Sequence, residues 1–342
     1  MKIVCSMGPN FEDFSLIDDF ANEGMDIMRF NFSHADYDRI KAQLSYVRQK
    51  YSHIKSLQDL QGNKIRVSNL FNNEIRVYQN DEVYFCSERF FKSNKDSKDC
   101  VMIPLAFNGK FRSSYGTKKV LMKDATVEFE VVGTGKDNRE FIKTIVKRGG
   151  IIRGEKGVNI PGIDRRNMTL TDKDKKDIKW GLENGIDIIC LSYVTKARDM
   201  IELRNYTERL VEKNKQFHMP KLWAKIECND GVKNFTEILG KSDGIMLGRG
   251  DLFAEIETID IPLVQDKLMK IMRKSDKDFI IATYILESMK RNMIPTITEV
   301  NDIYNFINGK VSGFMLSGEV SIGRYPLLTL KTMKSLIDRY TE

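Results

Sequence analysis

The sequence predicts an α/β protein, a (β/α)8 barrel of the TIM type with a small all-β domain inserted after the third barrel strand. Two observations predict the barrel: eight short apolar runs end in polar residues, and a helical pattern follows each run. A third observation predicts the insertion, because the pattern between residues 68 and 153 changes to alternating strands with few helical stretches. We therefore expect barrel segments at 1–67 and 154–342 and an inserted β domain at 68–153.

The eight apolar runs have the length and composition of buried strands. In chain order they are KIVCSMG, DIMRFNFS, IKSLQDLQG, GIDIICLSY, KLWAKIEC, DGIMLGRGD, DFIIATYI and SGFMLSGE. Segments such as 36–51 and 197–213 carry apolar residues at spacings of three and four, which predicts amphipathic helices. Thr171 is the predicted N-cap of a helix that ends just before Gly185, and a last amphipathic helix is predicted after the eighth strand.

The composition excludes several functional classes. The chain has 342 residues, of which 41% are hydrophobic and 30% charged, and its net charge is +7. Lysines alternate with acidic residues along the predicted helices, which indicates solvated faces and argues against nucleic-acid binding. No apolar run is long enough to span a membrane, and the N-terminus lacks a signal-peptide core. Five scattered cysteines and three histidines predict neither disulfides nor a zinc site, so we expect a cytoplasmic protein.

Polar side chains stand at the carboxyl ends of seven of the predicted strands. In barrels of this kind the chemistry lies at that end, and a rim with several cations and several acids suits a multiply charged anion and a metal. The residues concerned are Arg29, Asn31, Ser33, Asp59, Ser192, Lys225, Glu227, Arg249, Asp251, Thr283, Ser317 and Glu319.

Lys225 and Glu227 are two positions apart at the end of the fifth run, so they share one face of a strand. A structural salt bridge is one interpretation. The other is a phosphoryl-transfer site, which needs positioning and charge neutralisation more than covalent chemistry. Glu227 and Asp251 are hard oxygen ligands suited to magnesium, and glycine in the string GRGDL precedes a short predicted helix. The chain has no P-loop, so a nucleotide would be held in another way.

At these residues the sequence resembles the pyruvate kinase family. The matching strings are KIVCSMGP, GMDIMRFNFSH, KGVNIPG, AKIECNDGVKNFTEIL, SDGIMLGRGDL, ATYILESM and MLSGE followed by GRYPL, in family order across nearly the whole chain. The resemblance implies phosphoryl transfer between phosphoenolpyruvate and ADP, giving pyruvate and ATP, with magnesium or manganese as cofactor. The inserted β segment would correspond to the mobile lid domain of the family.

The resemblance also implies roles for single residues. Lys225 would stabilise the transferring phosphoryl group, Arg29 would face the phosphate, and Glu227 and Asp251 would hold the metal. The N–H groups of Gly250 and Asp251 would bind the substrate carboxylate, while Thr283 and Ser317 would form the relay that protonates the enolate. The positions expected to contact the nucleotide are Pro9, Arg29, Asn31, His34, Arg66 and Lys156.

The chain departs from the family pattern around the substrate methyl group. Gly248 stands where alanine is usual, Tyr284 where glutamine is usual, and Phe253 where glycine is usual. Of the lid motif Asp-Asp-Gly only Asp124 is kept, and Ile322 replaces a lysine. Two alternatives therefore stay open: the same chemistry on a different enolised 2-keto acid in a specialised pathway, or a non-catalytic regulatory relative.

The C-terminal regulatory domain of the family has no counterpart in the sequence. We therefore expect no response to sugar phosphates, while a homodimer formed through the barrel remains possible.

A departure also affects the monovalent cation. The resemblance places potassium at Asn31, Ser33, Asp59 and a threonine, which is Leu60 here, with a glutamate nearby that is Lys64 here. Leu60 removes an oxygen ligand and Lys64 brings an ammonium group, and two cations a few ångströms apart repel by roughly several kcal/mol. The resemblance thus implies that Lys64 replaces potassium and that activity needs no potassium.

Overall fold

The computed structural model describes residues 1–94, 100–107, 117–123, 125–134, 140–163, 165, 168 and 170–341. Asp124 of the lid motif lies outside the described residues. The chain forms two compact units. The first contains residues 1–62, 170–250 and 262–342, and the second contains residues 63–169 and 251–261.

The first unit is a closed barrel of parallel strands, which confirms the predicted (β/α)8 fold. Each of the eight apolar runs contains one barrel strand. The strands are β1 Lys2–Ser6, β2 Ile27–Asn31, β3 Lys55–Leu60, β4 Ile188–Leu191, β5 Lys221–Ile226, β6 Gly244–Gly248, β7 Asp278–Ala282 and β8 Gly313–Leu316. Around the barrel each strand pairs with its neighbours in chain order, and β1 pairs with β8 to close it.

A layer of apolar side chains fills the barrel, and every barrel strand contributes at least one residue to it. The buried cluster contains Val4, Ile27, Leu57, Ile188, Cys190, Trp223, Met246, Ile280, Ala282 and Met315. Such interior layers make a packed core rather than a pore, so polar side chains at the strand ends stand on a rigid base.

The helices follow the strands as the sequence pattern predicts. Thr171 caps the helix Asp172–Glu183. Its hydroxyl accepts the Asp174 N–H, and the Asp174 carboxylate accepts the Thr171 N–H. Gly185 follows that helix with a φ of 62°, a left-handed conformation that glycine adopts easily. The α-helices are Ser15–Asn22, Tyr37–Lys50, Asp172–Glu183, Ala197–Lys213, Asn229–Lys233, Phe235–Lys241, Arg249–Glu255, Ile261–Met272, Ile297–Asn308, Gly318–Ser321 and Pro326–Thr341. None of the described helices is long and apolar enough to cross a membrane.

The second unit is mainly β-structure. Its seven-stranded sheet has the order Val158–Asn159, Lys119–Met122, Val127–Thr134, Phe141–Arg148, Glu82–Ser87, Val101–Ala106 and Arg66–Val67. Gly150–Ile152 pairs with Ile75–Val77 in a second sheet, and Glu88–Ser93 is a short helix. Phe85 and Phe129 pack edge to face in the core, with ring centroids 5.0 Å apart.

The second unit extends beyond the predicted boundaries of 68 and 153 on both sides. Arg66–Val67 pairs with Val101–Ala106, and Val158–Asn159 pairs with Lys119–Met122. Both short strands lie outside 68–153 yet belong to the same sheet, because pairing between distant segments is not visible in the local alternation.

Candidate active site

Asp59 is the centre of a buried charge cluster at the carboxyl end of the barrel strands. The side chain lies on β3 and is 1% exposed. Its Oδ2 accepts hydrogen bonds from Arg29 Nη2 at 2.6 Å, Arg29 Nε at 3.0 Å and Lys225 Nζ at 3.1 Å. Its Oδ1 accepts a hydrogen bond from Ser192 Oγ at 3.0 Å. One carboxylate therefore joins residues from β2 and β5 and the residue that follows β4.

The two cations determine the protonation state of Asp59. Burial would raise the pKa of this carboxyl, but the neighbouring Lys225 and Arg29 charges outweigh burial and lower the pKa to about 2. Burial likewise favours a neutral Lys225, yet the Asp59 and Glu227 carboxylates raise the pKa of its ammonium above the ordinary value. Asp59 and Lys225 are therefore both charged at neutral pH.

Lys225 and Glu227 share a strand face, as their spacing predicts, and their charged atoms are 3.0 Å apart. The second carboxylate oxygen of Glu227 accepts the Tyr193 N–H at 3.1 Å. Gly248 on the adjacent strand β6 makes room for this carboxylate, because a Cβ atom there would lie 2.6 Å from Glu227 Cγ. The glycine that replaces the usual alanine thus borders Glu227.

A cavity of 210 Å³ opens beside the charge cluster. Four of the predicted nucleotide contacts, Pro9, Arg29, Asn31 and His34, line it together. Arg29 spans the cavity and the cluster, since its Nη1 also donates to Ser6 Oγ at 3.0 Å. The structure thus brings these four residues together.

Thr283 and Tyr284 follow β7 in the left-handed region, with φ values of 66° and 55°. This conformation is uncommon for residues other than glycine, above all for a β-branched one. The Thr283 hydroxyl accepts the Gly250 N–H at 2.7 Å and donates to the Ala282 carbonyl at 2.6 Å. Thr283, a residue of the predicted proton relay, is therefore hydrogen-bonded directly to Gly250, a predicted contact of the substrate carboxylate.

Ser317 follows the neighbouring strand β8, and its N–H donates to Glu319 Oε2 at 2.7 Å. The Ser317 hydroxyl and Glu319 Oε1 are buried and have no hydrogen-bond partner among the described residues. Burial raises the pKa of Glu319. Buried polar atoms of this kind commonly bind water, which is consistent with a water relay.

The other predicted site residues belong to the second unit. Asp251 Oδ2 lies 2.6 Å from Lys64 Nζ, and its Oδ1 accepts a hydrogen bond from Asn159 Nδ2 at 3.3 Å. Arg66 Nη1 donates to the Glu155 carbonyl at 2.9 Å, and Lys156 is exposed. The sequence did not predict the contact between Lys64 and Asp251.

Sequence reasoning placed Arg249 at a strand end but gave it no role. Its side chain is buried and donates to the carbonyl oxygens of Thr283 and Tyr284 and to the Asp302 carboxylate. Ser6 was missed altogether. Arg249 could have been recognised because it is a charged residue at the end of an apolar strand. Ser6 lies in the first apolar run and has no such signal.

The donor atoms present suit a hard cation. Among the described residues no group of three or more His, Cys, Asp or Glu side chains could hold a metal. Magnesium differs from zinc in commonly using one or two carboxylates with water and substrate oxygens. Glu227 in the first unit and Asp251 in the second unit each carry a carboxylate, the type of group that magnesium prefers.

The known proteins that this chain resembles belong to one family. The family model described as pyruvate kinase, barrel domain, matches residues 1–330. Over 339 residues the chain is 34% identical to a pyruvate kinase of Geobacillus stearothermophilus, covering 98% of this chain and 56% of that protein. It is 32% identical over 345 residues to that of Bacillus licheniformis, covering 100% of this chain and 57% of the relative.

The Lactobacillus delbrueckii subsp. bulgaricus pyruvate kinase is 34% identical over 345 residues, with 100% of this chain and 56% of the relative covered. The chain thus spans little more than half the length of these relatives. The match runs through both units and includes every strand that carries the charge cluster. The chain therefore belongs to the pyruvate kinase family and contains the barrel domain of that family.

Proposed function

We propose that the chain transfers a phosphoryl group between phosphoenolpyruvate and ADP, forming pyruvate and ATP, with magnesium or manganese as cofactor. The observation that carries this proposal is the buried Lys225 ammonium, 3.1 Å from Asp59 Oδ2 and 3.0 Å from Glu227 Oε1. A fixed cation of this kind stabilises negative charge that develops on a transferring phosphoryl group, because it is already oriented and desolvated.

The remaining rim residues divide the work. Arg29 reaches both Asp59 and the cavity, so its guanidinium can neutralise phosphate charge there. The Gly250 N–H, which donates to the Thr283 hydroxyl at 2.7 Å, would also contact the substrate carboxylate. Thr283 and Ser317 supply hydroxyl groups for proton delivery: the enolate C3 gains a proton from the relay, and the relay regains one from solvent.

Glu227 and Asp251 would hold the divalent ion. When bound, the ion would neutralise charge on phosphate and enolate oxygens. Lys225 Nζ lies 3.0 Å from Glu227 Oε1 and orients the carboxylate, and the Tyr193 N–H fixes its other oxygen.

The nucleotide would occupy the cavity lined by Pro9, Arg29, Asn31 and His34. The cavity is too small to enclose a whole nucleotide, so it would receive one part of the ligand. Because Arg29 and His34 line this cavity, binding of ADP should weaken when either residue is changed.

Potassium is not required in this proposal. Leu60 at the end of β3 is buried and offers no oxygen atom where the family pattern has a threonine. Lys64 contributes a permanent cation that is engaged by Asp251 at 2.6 Å. Both substitutions lower the demand for a bound monovalent cation.

A second candidate is the same phosphoryl transfer on a different enolised 2-keto acid. Gly248 and the left-handed Tyr284 favour it, because both replace usual residues around the substrate methyl group. A larger or more polar C3 substituent would then be accepted. A non-catalytic regulatory relative would be expected to lose the bonds within the Asp59 cluster, and these are intact.

The deciding experiment measures pyruvate formation from phosphoenolpyruvate and ADP with magnesium, followed by ATP-dependent phosphorylation of a panel of 2-keto acids. Turnover that is highest on pyruvate supports the first candidate. Higher kcat/KM on a bulkier keto acid selects the second. Absence of turnover on every acid, together with no binding of ADP or magnesium, would leave the regulatory relative.

A further inference from the structure

Arg249 carries a charge that is almost completely removed from solvent. The residue is 3% exposed, and the carboxylate it contacts is Asp302, with Nη1 to Oδ2 at 2.5 Å. The guanidinium carbon also lies 5.1 Å from the centroid of the Phe306 ring. Burying a guanidinium is costly unless its donors are satisfied. The partners of its remaining N–H groups therefore indicate the role of Arg249.

Those remaining donors bind two successive backbone carbonyl oxygens. Nε and Nη2 donate to the Thr283 oxygen at 3.1 and 2.9 Å, and Nη2 also donates to the Tyr284 oxygen at 2.5 Å. The guanidinium is planar and rigid, so it fixes the position of both acceptors at once. A lysine ammonium could satisfy one carbonyl but would not hold the pair in one plane.

The clamped residues are the two that leave β7 in the left-handed conformation. Their carbonyls no longer belong to the barrel ladder and need donors from elsewhere. Uncommon backbone conformations of this type persist only where the surroundings hold them. Arg249 supplies that support from a neighbouring strand end.

The clamp acts on the Thr283 hydroxyl. That hydroxyl accepts the Gly250 N–H at 2.7 Å, and Gly250 is the residue directly after Arg249. The backbone of Arg249 thus places the donor of this bond, while its side chain places the acceptor. One residue fixes both ends.

We propose that Arg249 is a positioning residue that holds the Thr283–Tyr284 backbone and thereby keeps the Thr283 hydroxyl where it can serve proton transfer at C3 of the keto acid. This inference rests on the proposed function. The inference predicts that Arg249 affects proton transfer and not phosphoryl transfer, because its guanidinium binds the Thr283 carbonyl oxygen and makes no described contact with Lys225.

The test compares a reaction that needs an enol with one that does not. Magnesium-dependent exchange of the pyruvate C3 protons with deuterium oxide breaks a C–H bond and requires the relay. ATP-dependent phosphorylation of glycolate, a 2-hydroxy acid, transfers the phosphoryl group to a hydroxyl and forms no enol. We expect Arg249→Met to slow the exchange about a hundredfold, the range of a misplaced acid–base group, and to slow glycolate phosphorylation far less.

Arg249→Lys should retain part of the exchange, because one carbonyl keeps a donor. Arg273→Met is the matched control, since Arg273 also binds a backbone carbonyl, that of Gly309 at 3.1 Å, but touches no proposed site residue. The control should leave both reactions unchanged. If Arg249→Met does not fold, Asp302→Asn loosens the clamp from its partly exposed side and should show the same selective loss, only smaller.

An equal loss of both reactions, or unchanged exchange, would overturn the positioning role. A wild-type protein that performs neither reaction would instead refute the proposed function, and the inference with it. The two failures are distinguishable, because the wild-type measurement decides the function and the ratio of the two rates in the variants decides the role of Arg249.

Discussion

Lys225 Nζ lies 3.1 Å from Asp59 Oδ2, inside a barrel end where both side chains are buried. Arg29 binds the same carboxylate oxygen from the other side, at 2.6 Å. The single negative charge of Asp59 therefore keeps two cations together, and the cations remain available at the rim. Under the proposed function, the stability of the fold and phosphoryl transfer would both depend on this contact.

Changing Asp59 to Asn should destabilise the fold. The variant would leave the buried Arg29 guanidinium without the Asp59 carboxylate, and Lys225 would keep only its Glu227 partner. Breaking a buried ion pair costs about 3 kcal/mol or more, so the free energy of unfolding in urea should fall by roughly that amount. Glu183→Gln, which removes an exposed partner of Lys179, should change it by less than about 1 kcal/mol. Equal effects of the two changes would contradict the assignment.

The contribution of Asp59 should depend on pH in a defined direction. Its pKa is lowered from 3.8 to about 2 in the folded protein, so the native state prefers the ionised form. The resulting stability, about 2 kcal/mol, is fully present above pH 3.8 and is lost as the pH falls towards 2. The difference in unfolding free energy between wild type and Asp59→Asn should shrink below pH 4 by that order. A constant difference would show that the lowered pKa is not responsible.

Lys225→Met should abolish phosphoryl transfer while sparing proton exchange on pyruvate. The methionine keeps the length of the side chain and removes the ammonium, so about a thousandfold loss of turnover is expected. The paired measurement is pyruvate formation against deuterium incorporation at C3. Arg29 still binds Asp59 in this variant, and the fold should persist. Loss of both activities by the same factor would argue against a role restricted to the phosphoryl group.

Gly248→Ala should reduce activity even though alanine is the usual residue of the family. The added Cβ would lie 2.6 Å from Glu227 Cγ and 2.8 Å from its Oε1, so the carboxylate must shift from its present position. We expect a higher magnesium requirement, with at least about a tenfold loss of kcat/KM. Gly240→Ala is the control, because a Cβ there meets nothing within 4 Å. Normal magnesium saturation in Gly248→Ala would show that Glu227 does not bind the metal.

Potassium should have little effect on the wild-type enzyme. In sodium- or tetramethylammonium-balanced buffer we expect full turnover, because Leu60 withholds an oxygen ligand and Lys64 supplies a permanent cation where the family pattern has a glutamate. Lys64→Glu would restore the carboxylate of the family pattern in place of an ammonium group, which favours a bound cation. Turnover of that variant should rise when potassium is added at constant ionic strength, but only partly, since Leu60 still offers no oxygen. Lys147→Glu, at an exposed position in the same unit, should not acquire this response.

Much of the fold could be predicted because its signals are local. Each barrel strand is a short apolar run, and each amphipathic helix repeats apolar residues at three and four positions. The shared face of Lys225 and Glu227 follows from the two-residue period of a strand and needs no knowledge of other strands. The Thr171 cap is equally local, since it involves Asp174 three residues later.

What the sequence by itself determined is therefore the order of strands and helices, the rim on which charges gather, and the family. Tertiary structure alone decided which charges meet. Asp59 binds residues 30, 133 and 166 positions away, Lys64 contacts Asp251 across 187 positions, and Arg249 clamps a turn 34 positions away. Barrel closure and long-range strand pairing create these contacts, and neither produces a periodic pattern in the sequence. Local periodicity specifies which face a side chain occupies, whereas its partner depends on how distant strands register.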